Sequence, residues 1–148
     1  MLSKGTEYAI RALVYIQLKK WEQKRPGVGE IAREIEAPEA YSGKILQTLT
    51  KHKLLNSMKG RGGGFFFSDN QSDLSLYDVI FVMEGDSSFR NCGFGLKDCN
   101  DDNPCPLHNQ YITVRDRFYD IVQKETIHSL AKRIRQGKAV LNRINKNI

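Results

Sequence analysis

Every cysteine of the chain lies in one short stretch, CGFGLKDCNDDNPCPLH, which runs from Cys92 to His108. The spacing is Cys92-x6-Cys99-x5-Cys105, with His108 three residues after the last thiol. Three thiols leave one over from any disulfide framework. The neighbours Lys97, Asp98, Asn100, Asp101, Asp102 and Asn103 are not those of a packed core. Clustered thiolates suit Zn, Cu(I) or iron–sulfur clusters. Zinc and clusters both usually take four ligands, so a fourth donor is expected. His108 fits that place: Pro106 suits the opening of a helix, which would put His108 in the first turn. A thiol switch without metal is the competing reading, because Cys105 precedes that helix start, where the dipole lowers a thiol pKa. Cys105 and His108 could also pair as nucleophile and base, but no orienting third group or oxyanion device accompanies them. The chain does not read as an enzyme.

These residues need a scaffold, and the pattern on either side supplies one. Residues 4–23 read as a helix, with Tyr8, Ile10, Leu13, Val14 and Leu18 near helical spacing. Pro26-Gly27 breaks it. A short second helix carries Val28, Ile31, Ala32 and Ile35 on one side, and Ala37-Pro38 ends it. Pro38 then suits the first turn of a third helix, whose buried face is Tyr41, Ile45, Leu46, Leu49 and Leu54. NSMKGRGGGFFFSD reads as a two-stranded hairpin over 55–67, with its tip at Lys59–Gly63. Ser75 caps a fourth helix, SLYDVIFVME, with a stripe of Leu76, Val79, Ile80 and Met83, and Gly85 ends it.

Three helices followed by a basic hairpin is the winged helix-turn-helix order, in which the third helix lies in the major groove. Its free face offers Ser42, Gly43, Lys44, Gln47, Thr48 and Lys51, and Tyr41 is counted with both faces. The wing tip offers Lys59, Gly60 and Arg61; a cation there suits the negative potential of a minor groove. Beyond the cysteines, Leu107, Tyr111, Val114, Phe118, Ile121 and Val122 mark a long helix whose stripe wants a partner, so two subunits are expected to pair through it. Thr126 reads as the cap of a further short helix to about Arg135. The fold expected is therefore mainly α with a small β-hairpin: a winged helix-turn-helix domain plus a long dimerisation helix. Its parts are residues 1–85, a cysteine loop over 86–105, and residues 106–148.

Charge agrees with a polyanion partner. Residues 1–67 hold twelve Lys/Arg and six Asp/Glu, residues 68–108 two and eight, and residues 109–148 nine and three. Basic ends flank an acidic middle, which points to double-stranded DNA. No apolar run of about 18 residues or more exists, so no membrane partner is expected. Reduced thiols suit a cytoplasmic protein.

The quoted segments also resemble the Rrf-two (Rrf2) family of bacterial winged-helix regulators over about residues 2–135. LSKGTEYAIRALVYI resembles its first helix, YSGKILQTLTKHKLLNS its reading helix, KGRGGGF its wing and LYDVIFVMEG its fourth helix. CPLH followed by a long helix resembles the cluster-binding branch, which includes the iron–sulfur cluster biogenesis regulator and the nitric-oxide-sensing repressor. The resemblance implies a homodimer on a two-fold operator, with an iron–sulfur cluster held by Cys92, Cys99 and Cys105. Both 2Fe–2S and 4Fe–4S fit three cysteines and one other ligand, and 2Fe–2S is the expectation. The fourth ligand it implies is His108, or else Glu7 reaching over from the partner subunit. Ser42 and Gly43 stand where the biogenesis regulator carries leucine and glutamate, so operator sequence does not carry over. Lys59 replaces the usual arginine, keeping the charge and losing the fork of donors. The remaining readings are a thiol- or zinc-based regulator of the same fold, and a cluster carrier that does not bind DNA.

Overall fold

The structure is a computed structural model and describes residues 2–144. Its elements are α1 (Lys4–Trp21), α2 (Val28–Glu34), α3 (Glu39–Lys51), β1 (Asn56–Met58), β2 (Gly64–Phe66), α4 (Leu76–Glu84), a 3-10 turn at Ser87–Phe89, α5 (His108–Lys124) and α6 (Ile127–Arg135). The expected mainly α fold with one hairpin is what forms.

α1 is the central post. Ser3 caps it, its hydroxyl accepting from the Thr6 N–H at 3.2 Å. Ala9, Ala12, Leu13 and Ile16 are essentially unexposed, because α2, α3, α4 and α6 all pack around this helix. α1 stops at Trp21, two residues short of the expected end, where the chain turns through Gln23 at φ 59. Ile31 and Ile35 of the α2 segment, with Ile45, Leu46 and Leu49 of α3, complete the core. Pro38 lies outside α3, as its cap residue with extended backbone, and Glu39 is the first helical residue. The hairpin pairs Asn56 with Phe66, Ser57 with Phe65 and Met58 with Gly64. Its second strand is tied to the chain before α2 by the Phe65 N–H, which donates to the Pro26 carbonyl at 2.9 Å.

α4 starts with a full capping box: the Asp78 N–H donates to Ser75 Oγ at 3.1 Å and the Ser75 N–H donates to Asp78 at 2.9 Å. α6 starts the same way, with Thr126 and Ser129. The two helix starts lie side by side. The Leu76 N–H donates to the Glu125 carbonyl at 2.9 Å and the Ile127 N–H to the Leu74 carbonyl at 2.8 Å. α6 then returns to α1, burying Ile127 and Ala131 in the main core. A second, smaller core joins α4, the 3-10 turn and α5 through Ile80, Phe89 and Val122.

α5 begins at His108, two residues later than Pro106 predicts. Cys105 to His108 form a turn instead, closed by the His108 N–H on the Cys105 carbonyl at 3.1 Å. Residues 138–142 run across α1 and α6, with Leu141 packed on the main core. Asn142 Nδ2 donates to the Glu34 carbonyl at 2.8 Å. The role of residues 145–148 lies outside the described residues.

Candidate nucleic-acid interface and metal centre

α3 sorts its residues by what lies on either side. Lys44, Gln47 and Lys51 are exposed, as the groove-facing reading requires. Ser42 is a correction: it is buried at 1% exposure, and its hydroxyl donates to the Pro38 carbonyl four residues back at 2.9 Å. A serine inside a helix finds that carbonyl readily. Gly43 is half-buried and turned toward α2, where a Cβ would meet the Val28 side chain at 3.8 Å. The Thr48 hydroxyl is also committed inward, to the Lys44 carbonyl at 3.1 Å. Tyr41 is 41% exposed, with its ring set edge-on against Tyr8 at 5.7 Å. Lys59, Gly60 and Arg61 are all exposed at the wing tip. One cation was missed from sequence. The Arg25 guanidinium lies 3.8 Å from the Phe66 ring centre, at the base of the wing. Its only sequence signal is its place just before the Pro26-Gly27 break.

The cysteine loop lies against the N-terminal half of α5. Gly93 permits this, because a Cβ there would stand 2.3 Å from the Tyr111 ring. Arg115 Nη1 donates to the Asn91 carbonyl at 3.4 Å, beside Cys92. All three cysteines are free thiols of intermediate exposure. Partial burial works against a charged Cys92. The N–H groups of Leu96 and Phe94, the Cys105 side chain and the Gly95 N–H outweigh it and hold the Cys92 thiol below its ordinary value.

His108 is 7% exposed and sits between two partners. Its Nε2 lies 2.9 Å from Asp101 Oδ1, and its Nδ1 lies 3.6 Å from Cys99 Sγ. A carboxylate accepts, so Nε2 carries the proton and Nδ1 turns its lone pair toward the thiol. Asp101 was read from sequence only as an acidic neighbour. Here its carboxylate, 90% exposed, holds the Nε2 side of the His108 ring. The loop therefore brings Cys99 directly to His108, with Cys92 and Cys105 as further free thiols of the same loop. Among the described residues, no three His, Cys, Asp or Glu side chains converge on one metal-ion point. Glu7 stands apart in the first turn of α1, with Lys4 Nζ at 3.5 Å. His52 and His128 take local roles, at the Thr48 carbonyl and edge-on to Trp21. No helix among the described residues is long and apolar enough to cross a membrane.

Residues 2–133 match the family Rrf2, described as iron-dependent transcriptional regulator. Protein aau3 of Rhizobium meliloti is 33% identical over 132 residues, spanning 88% of this chain and 84% of that protein. The HTH-type transcriptional regulator NsrR of Oceanobacillus iheyensis is 26% identical over 88% of this chain and 89% of its own length. IscR of Pectobacterium atrosepticum is 25% identical over 96% of this chain and 82% of its own. Among solved structures, IscR of T. potens superposes with a TM-score of 0.70 at 18% identity, covering 95% of this chain and 92% of that one. CymR of B. subtilis, described as the global cysteine regulator, gives 0.69 at 20% identity, covering 89% and 96%. The likeness to the solved structures is one of fold, and it covers the winged module, the loop and α5 together. With the reading helix, wing and cysteine loop all in the matched span, the chain belongs to the Rrf2 family of transcriptional regulators.

Proposed function

We propose that this Rrf2-family regulator is a cytoplasmic homodimer whose grip on a two-fold operator depends on an iron–sulfur cluster in the cysteine loop. The ligands are Cys92, Cys99, Cys105 and His108, with Glu7 of the partner subunit as the alternative fourth. The observation that carries this is the buried His108, oriented by Asp101 and aimed at Cys99. Three thiols and one imidazole of that tautomer are a donor set suited to a cluster. Both 2Fe–2S and 4Fe–4S fit three thiols and one further ligand, and 2Fe–2S remains the expectation. When bound, the cluster supplies a centre that responds to iron supply, oxidants or nitric oxide. The chain's own residues do the rest. Lys44, Gln47 and Lys51 reach the major groove, while Lys59 and Arg61 reach the backbone or minor groove. Leu107 at the α5 cap, with Val114 and Ile121 of α5, stand at seven-residue intervals, each more than 40% exposed, as the seam for a second copy.

The test is iron, acid-labile sulfide and zinc content with a visible spectrum, on protein purified without oxygen. Iron and sulfide in equal amounts support the cluster; colourless stoichiometric zinc overturns it. Binding to duplex DNA should weaken steeply with salt, as phosphate contacts demand. A flat salt response would favour a cluster carrier instead. One observation favours a second reading: the Cys92 thiol, held low and against Cys105, suits a thiol-based regulator. Metal-free protein whose DNA binding responds to peroxide would select it.

A further inference from the structure

The first turn of α1 is touched from two sides. On one side stands Glu84, the last residue of α4. A single oxygen of its carboxylate, Oε2, accepts from the Ser3 backbone N–H at 3.1 Å and from the Thr6 hydroxyl at 2.5 Å. Thr6 is fully buried, and its hydroxyl also lies 2.9 Å from Ser3 Oγ. The cysteine loop leaves directly from this point, through Gly85 at φ 75. On the other side stands Tyr41 of α3. A Cβ at Gly5 would lie 2.8 Å from its hydroxyl oxygen and 3.6 Å from Met83 Cε of α4. One turn further on, Tyr8 meets the Tyr41 ring edge-on. The stem of the loop and the start of the reading helix thus press on the same few residues.

We infer that the first turn of α1 is the relay between the cysteine loop and the reading helix, with Glu84 positioning the turn and the Gly5–Tyr41 contact passing its position on. The inference rests on the DNA-binding and sensing reading above. Coupling between sites is carried by packed side chains and hydrogen bonds that join rigid elements. Here a carboxylate bridge and a close helix–helix contact meet within one helical turn. Glu84 is none of the proposed DNA-contacting or ligand residues, and its hydrogen bonds go to Ser3 and Thr6. The Gly5 position is tight because the hydroxyl at the tip of the Tyr41 side chain stands over it. Any change in how Ser3 and Thr6 sit on Glu84 therefore bears on the turn that Tyr41 touches.

The test uses the full chain and a duplex selected by the wild-type protein from a randomised pool. Gly5→Ala favours helix by itself, so it should not unfold α1. It is expected to weaken duplex binding by roughly tenfold, the cost of forcing a methyl into a packed contact. On a Tyr41→Phe background the same Gly5→Ala change should cost almost nothing, because the obstructing oxygen is gone. An equal loss on both backgrounds overturns the contact as the route. Glu84→Ala is read separately by amide hydrogen exchange on the metal-free protein. Faster exchange in both the α1 first turn and Tyr41–Lys44, with α6 unchanged, supports the relay. Faster exchange confined to the α1 turn overturns it. Glu84→Gln, which keeps an accepting oxygen, should restore protection. If no duplex is selected at all, the DNA-binding reading fails, and the exchange result still decides the relay.

Discussion

The winged module and the cysteine loop are held together by different means. Around α1, Leu13, Ile31, Leu46 and Leu49 are essentially unexposed, and their apolar burial maintains the fold without help. The loop carries Phe94 at 56% and Leu96 at 52% exposure, and its shape rests on a few hydrogen bonds and on Gly93 under Tyr111. A segment with few buried contacts opens at low free energy. The contrast teaches where a signal can act. The module would present the proposed DNA-reading residues on a frame that does not yield, and a ligand in the proposed site would act on the softer loop.

The sharpest way to break the contrast is to damage each region in turn. Leu46→Ala should cost roughly 2–5 kcal/mol, read as a fall in the urea or thermal midpoint. Cys99→Ala should leave that midpoint within about 0.5 kcal/mol, as for a surface change, while iron content collapses. Equal shifts would erase the distinction. Next in size is Asp101→Asn, which leaves every proposed ligand in place. It should weaken metal retention on the order of 10–100-fold, measured by chelator competition. Retention equal to wild type would remove Asp101 from the site. Val114→Glu puts a charge in the exposed α5 seam and should give monomers by sedimentation, with melting nearly unchanged. Persistent dimers would place the interface elsewhere. Arg61→Ala should weaken duplex binding uniformly and lower the salt slope by about 1. The smallest effect is at Glu84. Burial opposes its charge, but the Thr6 hydroxyl and the Ser3 N–H hold the carboxyl below the usual range. Its stabilising contribution is therefore present at neutral pH and is lost as pH falls through the folded-state value, below the ordinary glutamate value of about 4.3. Glu84→Gln should flatten that acid limb of a melting-temperature profile.

Much of the frame was legible because helical periodicity and caps are local. Ser75, Thr126 and Gly85 sit where the sequence puts them, and the hairpin turns where its glycines and phenylalanines predict. What escaped depends on neighbours far along the chain. Ser42 reads as a groove residue until the Pro38 carbonyl and the packing of α3 are seen. Asp101 is one of several acids in the loop, and only the fold selects it as the His108 partner. Pro106 signals a helix start, but the turn closed between Cys105 and His108 delays it. Arg25 gains its place at the wing only when Phe66 folds back beside it.

The paired starts of α4 and α6 have a mechanical consequence. Leu74, Leu76, Glu125 and Ile127 clamp one end of α5 to the module, and Val122 is buried beside the clamp. The middle of α5 rests on Phe89 through Phe118 and Tyr119, and its first turns meet the loop through His108, Tyr111 and Arg115. α5 is thus a beam built in at one end and propped at the other by the cysteine loop. Its 17 residues make it about 25 Å long at the usual helical rise. Under the proposed function, a shift at that propped end would tilt α5 about the clamp and so change the angle between two subunits paired through it.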